Sequence, residues 1–362
     1  MSVSTSTGTP AGTAGALALR LSRHPVLRYT LRRLGLTLFL ALGVTVVTFV
    51  LSALVPIDPT VAALGERAAA DPEIVAAYRA KYGLDQPLVV QYWVYLTGLL
   101  RGDWGMSQQT QRPVLEDLLS YAPATLELVL ATIVLAVAVG VLVGLAAALY
   151  RNRFPDHAAR VIALLGVSTP IFWFGIVMTM IFFAQLGWLP SGGRVDPNLP
   201  KLQGGTGFIL IDSLLAGQPA IFWSGVQHLI LPSIVLGLGT LGLIIRITRA
   251  SVLEVLGNDY VRAGRAKGLS GGAVVRRYIL RSASGSILTV SGVAFGGLLA
   301  GTVLIETVFN WPGLGLYAYR SATTGDLNAI MGVTLFVSTA YILVNLVVDL
   351  CYMILDPRVR LA

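Results

Sequence analysis

The residues that could do chemistry are concentrated in one polar stretch, Glu254 to Arg281, which lies between two long apolar segments. Small residues are interleaved with an excess of cations, and only Glu254 and Asp259 are acidic. Small residues let another backbone approach closely, and arginine side chains donate directional hydrogen bonds. The cations of the stretch are Arg262, Arg265, Lys267, Arg276, Arg277 and Arg281. This combination predicts a surface on which another protein docks.

A short helix is predicted inside this stretch. Asp259 is placed to be its N-cap, with the carboxylate accepting hydrogen bonds from amides of the first turn, and Gly268 is placed to end it. Spacings of three and four residues put four side chains on one helical face. They are Tyr260, Ala263, Gly264 and Lys267. The alternative is a solvated basic loop that binds anionic lipid.

No pattern for nucleotide, metal or covalent chemistry accompanies the polar stretch. The phosphate-binding pattern GxxxxGK[ST] is missing, because the three lysines, Lys81, Lys201 and Lys267, precede Tyr, Leu and Gly. The histidines are scattered and Cys351 is the single cysteine, so neither a metal site nor an intrachain disulfide is expected. The chain is therefore predicted not to be an enzyme and to hold no cofactor of its own.

Three acids lie near the ends of apolar segments: Glu127, Glu306 and Asp349. We expect each to be interfacial, solvated by water or by lipid headgroups. A proton-driven carrier would more often place an acid in the middle of a span and show repeated halves, and the sequence has neither. A proton-coupled secondary transporter is the alternative from a different functional class.

The elements that must position the polar stretch are membrane spans. The chain is 55% hydrophobic and 12% charged, whereas soluble chains run nearer to about a quarter charged. A helix needs about 20 apolar residues to cross the hydrocarbon core, and six segments meet this requirement. They are Leu34–Ile57, Leu128–Tyr150, Val161–Leu186, Val226–Ile245, Ser282–Ile305 and Leu327–Val348. The sequence thus predicts an all-α polytopic membrane protein.

The basic residues predict its orientation. Most of the 26 Lys and Arg residues fall on one side if the N-terminus is cytoplasmic, and cytoplasmic loops collect positive charge. The net charge of +8 therefore reflects orientation and does not indicate a nucleic-acid partner. The predicted divisions are a disordered cytoplasmic tail (1–27), a first transmembrane helix (28–57), an extracytoplasmic loop (58–123), a core of five spans (124–356) and a cytoplasmic C-terminus (357–362).

The two outer loops differ in their patterns. The first is predicted to hold two helices, Pro72–Gly83 and Pro87–Leu100, and the second of these is rich in aromatic residues that favour the membrane interface. The second loop, Gly187 to Gly225, has glycine and proline throughout, so we expect it to be irregular.

Small residues and one proline mark the spans themselves. Gly140 and Gly144 form a GxxxG pair, which favours close helix contact in lipid. Pro170 is predicted to kink the third span after Ser168 and Thr169, because proline removes a helical hydrogen bond. The fifth span carries four glycines on a predicted common face, which indicates either a moving interface or static packing. They are Gly292, Gly296, Gly297 and Gly301.

The segment from Asp259 to Leu269 resembles the cytoplasmic signature loop of ABC importer permeases, in the branch that carries dipeptides and oligopeptides. The resemblance covers all but residues 1–25. The other segments that carry it are Tyr82–Pro87, Gly102–Gly105, Pro123–Leu126, Leu186–Pro190, Glu306–Phe309, Pro312–Gly315 and Asp356–Leu361. Two positions depart from the pattern: Arg262-Ala263-Gly264 stands where the general loop has Glu-Ala-Ala, and Tyr278 stands where the branch often has His.

This resemblance implies a type I ABC importer transmembrane domain in the cell membrane. Its partners would be a second permease, ATP-binding subunits (one fused or two) that hold ATP and Mg, and an extracytoplasmic solute-binding protein. The cargo would be peptides, or else nickel, glutathione or haem, as in related systems. The polar stretch would contain the coupling helix, about 258–269, that docks on the ATPase.

Three sets of site residues follow as expectations. The ATPase-coupling set is Asp259, Tyr260, Arg262, Ala263, Gly264, Arg265, Ala266, Lys267, Gly268 and Leu269. The set expected at the translocation pathway or gate is Ser168, Thr169, Pro170, Gly292, Gly296, Gly297 and Gly301. The set expected to contact the solute-binding protein is Tyr92, Trp93 and Trp104.

Overall fold

The computed structural model describes residues 25–54, 60, 69–202 and 204–355. The predictions for the N-terminal tail before residue 25 and for the C-terminus after residue 355 lie outside this range. Within it every element is helical, apart from one isolated antiparallel bridge between Met106 and Pro113. The predicted all-α class is confirmed.

The N-terminal part of the described chain holds four helices. They are α1 (Pro25–Leu54), α2 (Pro72–Tyr82), α3 (Leu88–Leu100) and α4 (Val114–Leu149). Helix α2 begins after Asp71, whose carboxylate accepts from the Glu73 amide, and ends at Gly83 with a left-handed φ of 64°. Both helices predicted in the first outer loop are therefore present.

The central part is organised around one long helix. The elements are α5 (Phe154–Ser168), α6 (Ile171–Thr179, continued by a π-helical segment Met180–Gln185), α7 (Ile209–Leu215) and α8 (Pro219–Leu256). Helix α8 has 38 residues and contributes buried side chains along most of its length. It contacts α4, α5, α6, α7 and α11, so it is the central helix of the bundle.

The C-terminal part contains the polar stretch and the last two long helices. The elements are α9 (Asp259–Ala266), α10 (Gly271–Val274, continued by a π-helical segment Val275–Ile279), α11 (Leu280–Val308), α12 (Leu314–Thr324) and α13 (Leu327–Leu355). Five helical segments are long and apolar enough to cross a membrane, and α5 with α6 makes a sixth if the bent pair is one span. The six predicted spans correspond to these segments.

The bounds of two spans differ from the prediction. Helix α4 begins at Val114 and runs through Pro123, so it is continuous across the predicted division between the outer loop and the core at 123/124. Glu116 and Asp117 in its first turn favour the positive end of the helix dipole, which explains the early start. Helix α8 extends beyond Val226–Ile245 at both ends, and α7 lies inside the loop predicted to be irregular.

The third span is broken rather than kinked. The axes of α5 and α6 differ by 108°. Thr169 is extended (φ −89°, ψ 126°), as is Pro170 (φ −60°, ψ 123°). A residue before proline avoids the helical region, and two successive extended residues interrupt the helix completely.

Glycines allow the central helix to approach its neighbours. A Cβ added to Gly140 would lie 2.7 Å from Ile244 Cγ2, and one added to Gly144 would lie 2.8 Å from the Ile245 carbonyl oxygen. The predicted close contact through the GxxxG pair is confirmed, and its partner is α8. Helix α5 approaches α8 as closely, because a Cβ on Gly166 would lie 2.5 Å from the Leu238 carbonyl oxygen. Helices α4 and α5 are therefore packed on α8 with no room for larger residues at these points.

Candidate functional site

Helix α9 begins one residue earlier than its predicted cap. Asn258 is the N-cap: its backbone is extended (φ −76°, ψ 145°), and its carbonyl oxygen accepts from the amides of Val261 (3.1 Å) and Arg262 (3.4 Å). The prediction that Asp259 is the N-cap is wrong, because Asp259 is already helical. Its carboxylate is almost fully exposed and lies 3.7 Å from the Arg262 guanidinium. It still favours the helix, since it lies at the positive end of the dipole.

The end of α9 is fixed by Gly268, as predicted. Gly268 has a left-handed φ of 77°, and its amide donates to the Arg265 carbonyl oxygen at 3.0 Å. The Leu269 amide donates to the Gly264 carbonyl oxygen at 3.4 Å. This pair of hydrogen bonds is the Schellman arrangement, which a glycine at this position favours. The chain therefore leaves α9 in a defined direction.

The predicted docking face of α9 divides into two. Val261 is fully buried, and Gly264 is buried against Tyr278, whose Cε2 would lie 3.2 Å from an added Cβ. Gly264 therefore faces the protein and not the surface. Within the segment from Asp259 to Leu269, the exposed residues are Asp259, Tyr260, Arg262, Ala263, Arg265, Ala266, Lys267 and Gly268. This set is called the α9 outer face below.

Helix α9 is seated on a hydrophobic cluster shared by the ends of the long helices. Val261 packs in this cluster with buried residues from α4, α8, α10 and α11. They are Ala148, Val252, Val255, Val274, Ile279 and Ala283. Burying each of the valines contributes about 1.5–3 kcal/mol. The cluster therefore binds the short helix to the helices that cross the membrane.

Two tyrosines add a polar link from α9 to the start of α11. The Tyr260 hydroxyl donates to Ser282 Oγ at 3.2 Å, and the Tyr260 and Tyr278 ring centroids are 6.3 Å apart. Tyr278 belongs to the π-helical segment that leads into α11. Such segments often mark functional positions.

An ionic cluster that was not predicted joins α5 to α8. The Asp156 carboxylate is completely buried and accepts from Arg249 Nε (2.6 Å) and Nη2 (3.0 Å), Arg160 Nη2 (2.7 Å) and the Asn152 amide (2.9 Å). Asp156 is in the first turn of α5 and Arg249 is on α8, so the cluster ties these helices together. The available signal was that Asp156 is the single acid among residues 151–160.

Two of the three acids predicted to be interfacial, Glu127 and Glu306, are buried and accept hydrogen bonds from protein groups. Glu306 is 0% exposed; it accepts from Thr125 Oγ1 (2.6 Å) and from the Leu316 amide (2.9 Å). Glu127 accepts from the Leu210 amide (2.9 Å) and from the Arg194 guanidinium. The interfacial prediction is wrong for both, because each carboxylate has protein donors in place of water. The side chain of Asp349 lies outside what the structure describes.

The four glycines of α11 do not share one environment. Added Cβ atoms at Gly292 and Gly296 would collide with Val348 and Tyr341, so both positions pack on α13. The predicted common face is therefore divided. A Cβ at Gly301 would lie 3.4 Å from Leu236 on α8, whereas at Gly297 it would meet nothing within 4 Å. Of the break residues, Ser168 and Pro170 are exposed and Thr169 is partly buried.

The three aromatic residues expected at the solute-binding protein also divide. Tyr92 packs on α1: its hydroxyl lies 2.9 Å from Thr45 Oγ1, and its ring centroid lies 5.6 Å from that of Phe49. Trp104 packs against the cluster that α4, α12 and α13 form. Trp93 is 64% exposed. Trp93 alone of the three presents most of its side chain to the outside.

Comparisons with known proteins match nearly the whole described chain. Residues 140–361 match the family "Binding-protein-dependent transport system inner membrane component", and residues 26–141 match the model of the corresponding N-terminal part. The chain is 46% identical to the probable D,D-dipeptide transport system permease protein DdpB of Escherichia coli (strain K12), covering 90% of this chain and 95% of that protein.

Two further relatives extend the similarity. The di/tripeptide transport system permease protein DppB of Pseudomonas aeruginosa (strain UCBPP-PA14) is 44% identical over 92% of this chain and 99% of its own. The glutathione transport system permease protein GsiC of Salmonella choleraesuis (strain SC-B67) is 38% identical over the same shares.

Proposed function

This chain belongs to the family of binding-protein-dependent transport system inner membrane components, and from that premise we propose that it is the peptide-conducting permease of an ABC importer. The main support for a peptide substrate is the sequence identity to permeases named for D,D-dipeptides (46%) and for di/tripeptides (44%). Each match covers more than nine-tenths of the named protein. The glutathione permease is less similar, at 38%.

The α9 outer face is the proposed docking site for an ATP-binding partner. Exposed cations flank Ala263 and Ala266, whose small side chains allow a partner's backbone to approach. The seat beneath α9 is apolar and closely packed. Because α9 is packed tightly against the other helices, a displacement of the partner would move these helices together with α9. A solvated loop would instead change its own conformation. ATP and Mg would be held by that partner, since this sequence has no phosphate loop.

The push would reach the membrane spans by two routes. The shared hydrophobic cluster joins α9 to α8 and α11. The buried Asp156 joins α8 to the first turn of α5, which ends at the break near Pro170. We therefore propose that the gate lies at that break and at Gly297. Gly297 is exposed, and a Cβ added to it would have no atom within 4 Å. The movement would be a rigid-body rotation of packed helices.

The surroundings of the permease complete the proposal. It would lie in the cell membrane, in contact with lipid, with both termini cytoplasmic, because that orientation places most of the Lys and Arg residues inside. A second, similar permease would complete the pathway, and a solute-binding protein would deliver peptide at the opposite end from α9. Trp93 is the proposed contact for that protein, since it is exposed on α3.

Reconstitution tests this function. This chain, a second permease, the ATPase subunits and the binding protein of the same transport system are assembled with liposomes that contain ATP. We expect uptake of labelled dipeptide that requires ATP hydrolysis and the binding protein, and that exceeds uptake of glutathione and of nickel. Uptake driven by a proton gradient without the ATPase would instead support a secondary transporter and refute the proposal.

A further inference from the structure

A cavity of about 320 Å³ opens between the outer part of α4, the loop that follows α6, and the connection from α11 into α12. It lies at the other end of α11 from α9, and the 29 residues of that helix separate the two by about 40 Å. The residues that matter for its chemistry are Gln109, Tyr121, Arg194, Asn310, Tyr317 and Arg320. We call it the outer cavity.

Two guanidinium groups line the outer cavity and keep donors that have no partner among the described residues. The Arg194 side chain is 13% exposed; Nη2 is bonded to Glu127 and to the Gly207 carbonyl oxygen, while Nε is buried without a partner in the described chain. Arg320 is exposed and makes one long hydrogen bond, 3.4 Å, to Asn310 Oδ1. Glu127 balances the charge of Arg194, so the charge of Arg320 is left uncompensated. Guanidinium groups with free donors favour a carboxylate.

The rest of the outer cavity is lined by aromatic rings and side-chain amides, which can contact the last side chain and the last peptide group of a bound peptide. The rings of Tyr121 and Tyr317 are stacked, with centroids 4.9 Å apart at 16°. The Tyr317 hydroxyl donates to Asp117 at 3.1 Å, which fixes this aromatic wall. Gln109 and Asn310 supply amide groups beside it. Asn310 has a left-handed φ of 44° at the end of α11, a conformation that asparagine readily adopts at a helix C-terminus and that fixes the position of its backbone at the cavity.

We propose that the outer cavity receives the C-terminal end of the peptide, with Arg320 and Arg194 facing its carboxylate and the tyrosine pair against its last side chain. This inference rests on the proposed peptide transport and adds a recognition site within the permease. An acidic side chain of a docking protein would use the arginines but leave the amide groups and the aromatic wall without a role. A cavity of this volume lies at the lower end of the range for small-ligand sites.

The test compares dialanine with its C-terminal amide in the complete reconstituted transporter. Both are supplied at millimolar concentration, so that the binding protein is saturated. In Arg320→Gln, uptake of the free acid should fall at least about tenfold, as expected for losing a charge-assisted hydrogen bond, while uptake of the amide should stay within about twofold. Arg320→Lys should retain part of the preference for the acid, and the control Lys201→Gln, which removes another outer cation, should match the wild type.

The outcomes separate this inference from the function on which it rests. Equal loss of acid and amide uptake in Arg320→Gln would show a docking or structural role, and unchanged acid uptake would show no role; either result overturns the inference. Absence of any peptide uptake by the wild-type complex would instead refute peptide transport itself.

Discussion

The Asp156 carboxylate oxygen Oδ1 lies 2.6 Å from Nε of Arg249, across the interface between α5 and α8. Asp156 is completely buried, whereas Arg249 is 23% exposed and Arg160, its second partner, is 51% exposed. The buried carboxylate therefore needs the two arginines to compensate its charge, whereas each arginine can also be solvated by water. This asymmetry makes Asp156 the sensitive member of the cluster.

Replacing Asp156 with Asn should weaken the joint between α5 and α8. The cost to the free energy of unfolding should be about 2 kcal/mol, below the usual range for a broken buried pair because both arginines retain access to water. We expect ATP hydrolysis to continue while peptide uptake per ATP falls severalfold. Thermal unfolding and the ratio of uptake to hydrolysis measure the two effects. Arg151→Gln, which removes a nearby exposed cation, is the control and should change neither.

Replacing Gly268 with Val should disconnect α9 from its partner without preventing membrane insertion. A side chain has open space there, but the left-handed backbone costs about 1–2 kcal/mol for a residue with a Cβ. The end of α9 should therefore change direction, and peptide uptake should be lost. Gly271→Val is the matched control. An added Cβ at Gly271 also has no atom within 4 Å, but the backbone of Gly271 is not left-handed, so this variant should keep normal uptake. Normal uptake in Gly268→Val at normal membrane levels would contradict a role for this turn.

Ala263 and Gly264 are adjacent in sequence but should respond differently to substitution. Ala263 is exposed, so Ala263→Asp should leave thermal stability within about 0.5 kcal/mol and reduce co-purification of the ATPase at least tenfold. Gly264→Leu forces a bulky side chain against the Tyr278 ring, which would lie only 3.2 Å from a bare Cβ, so it should lower stability while leaving the α9 outer face chemically intact. Retention of the ATPase by Ala263→Asp would argue against docking on this face.

Glu306 should be required for the connection between α11 and α12. Glu306→Ala leaves Thr125 Oγ1 and the Leu316 amide without their buried acceptor, which should cost about 2–3 kcal/mol of stability. Glu306→Gln keeps one acceptor and should cost less. Thermal melting of the purified subunit distinguishes these values. Equal stability of the alanine variant and the wild type would show that water replaces the carboxylate, as first expected for an interfacial acid.

The sequence was sufficient for features that depend on neighbouring residues. The small helix α9, its end at Gly268 and an interruption at Pro170 follow from local backbone preferences, although a kink was predicted there and the structure has a complete break. The GxxxG contact also follows, although its partner helix does not. Clustered charge between apolar segments predicts the proposed docking element in the same way, because the signal is contained in consecutive residues.

Features that depend on distant partners were missed or misjudged. Glu306 and Thr125 are 181 positions apart, and Glu127 and Arg194 are 67 positions apart, so neither pair is visible in a local pattern. An acid at the end of a span therefore looked like a solvated one. Gly264 was assigned to the docking face because spacing shows which residues share a face but not which face meets the protein.

The length of α8 has a mechanical consequence. Its 38 residues form a rod of about 57 Å, nearly twice the thickness of the hydrocarbon core. One end lies in the seat of α9, and the other reaches the loops on the opposite side of the membrane. If such a rod pivots at its middle by about 5°, its ends move about 2.5 Å in opposite directions. The two ends of α8 would then move in opposite directions. A displacement towards the helix bundle at the proposed ATPase-docking end would produce a displacement away from it at the proposed peptide-entry end.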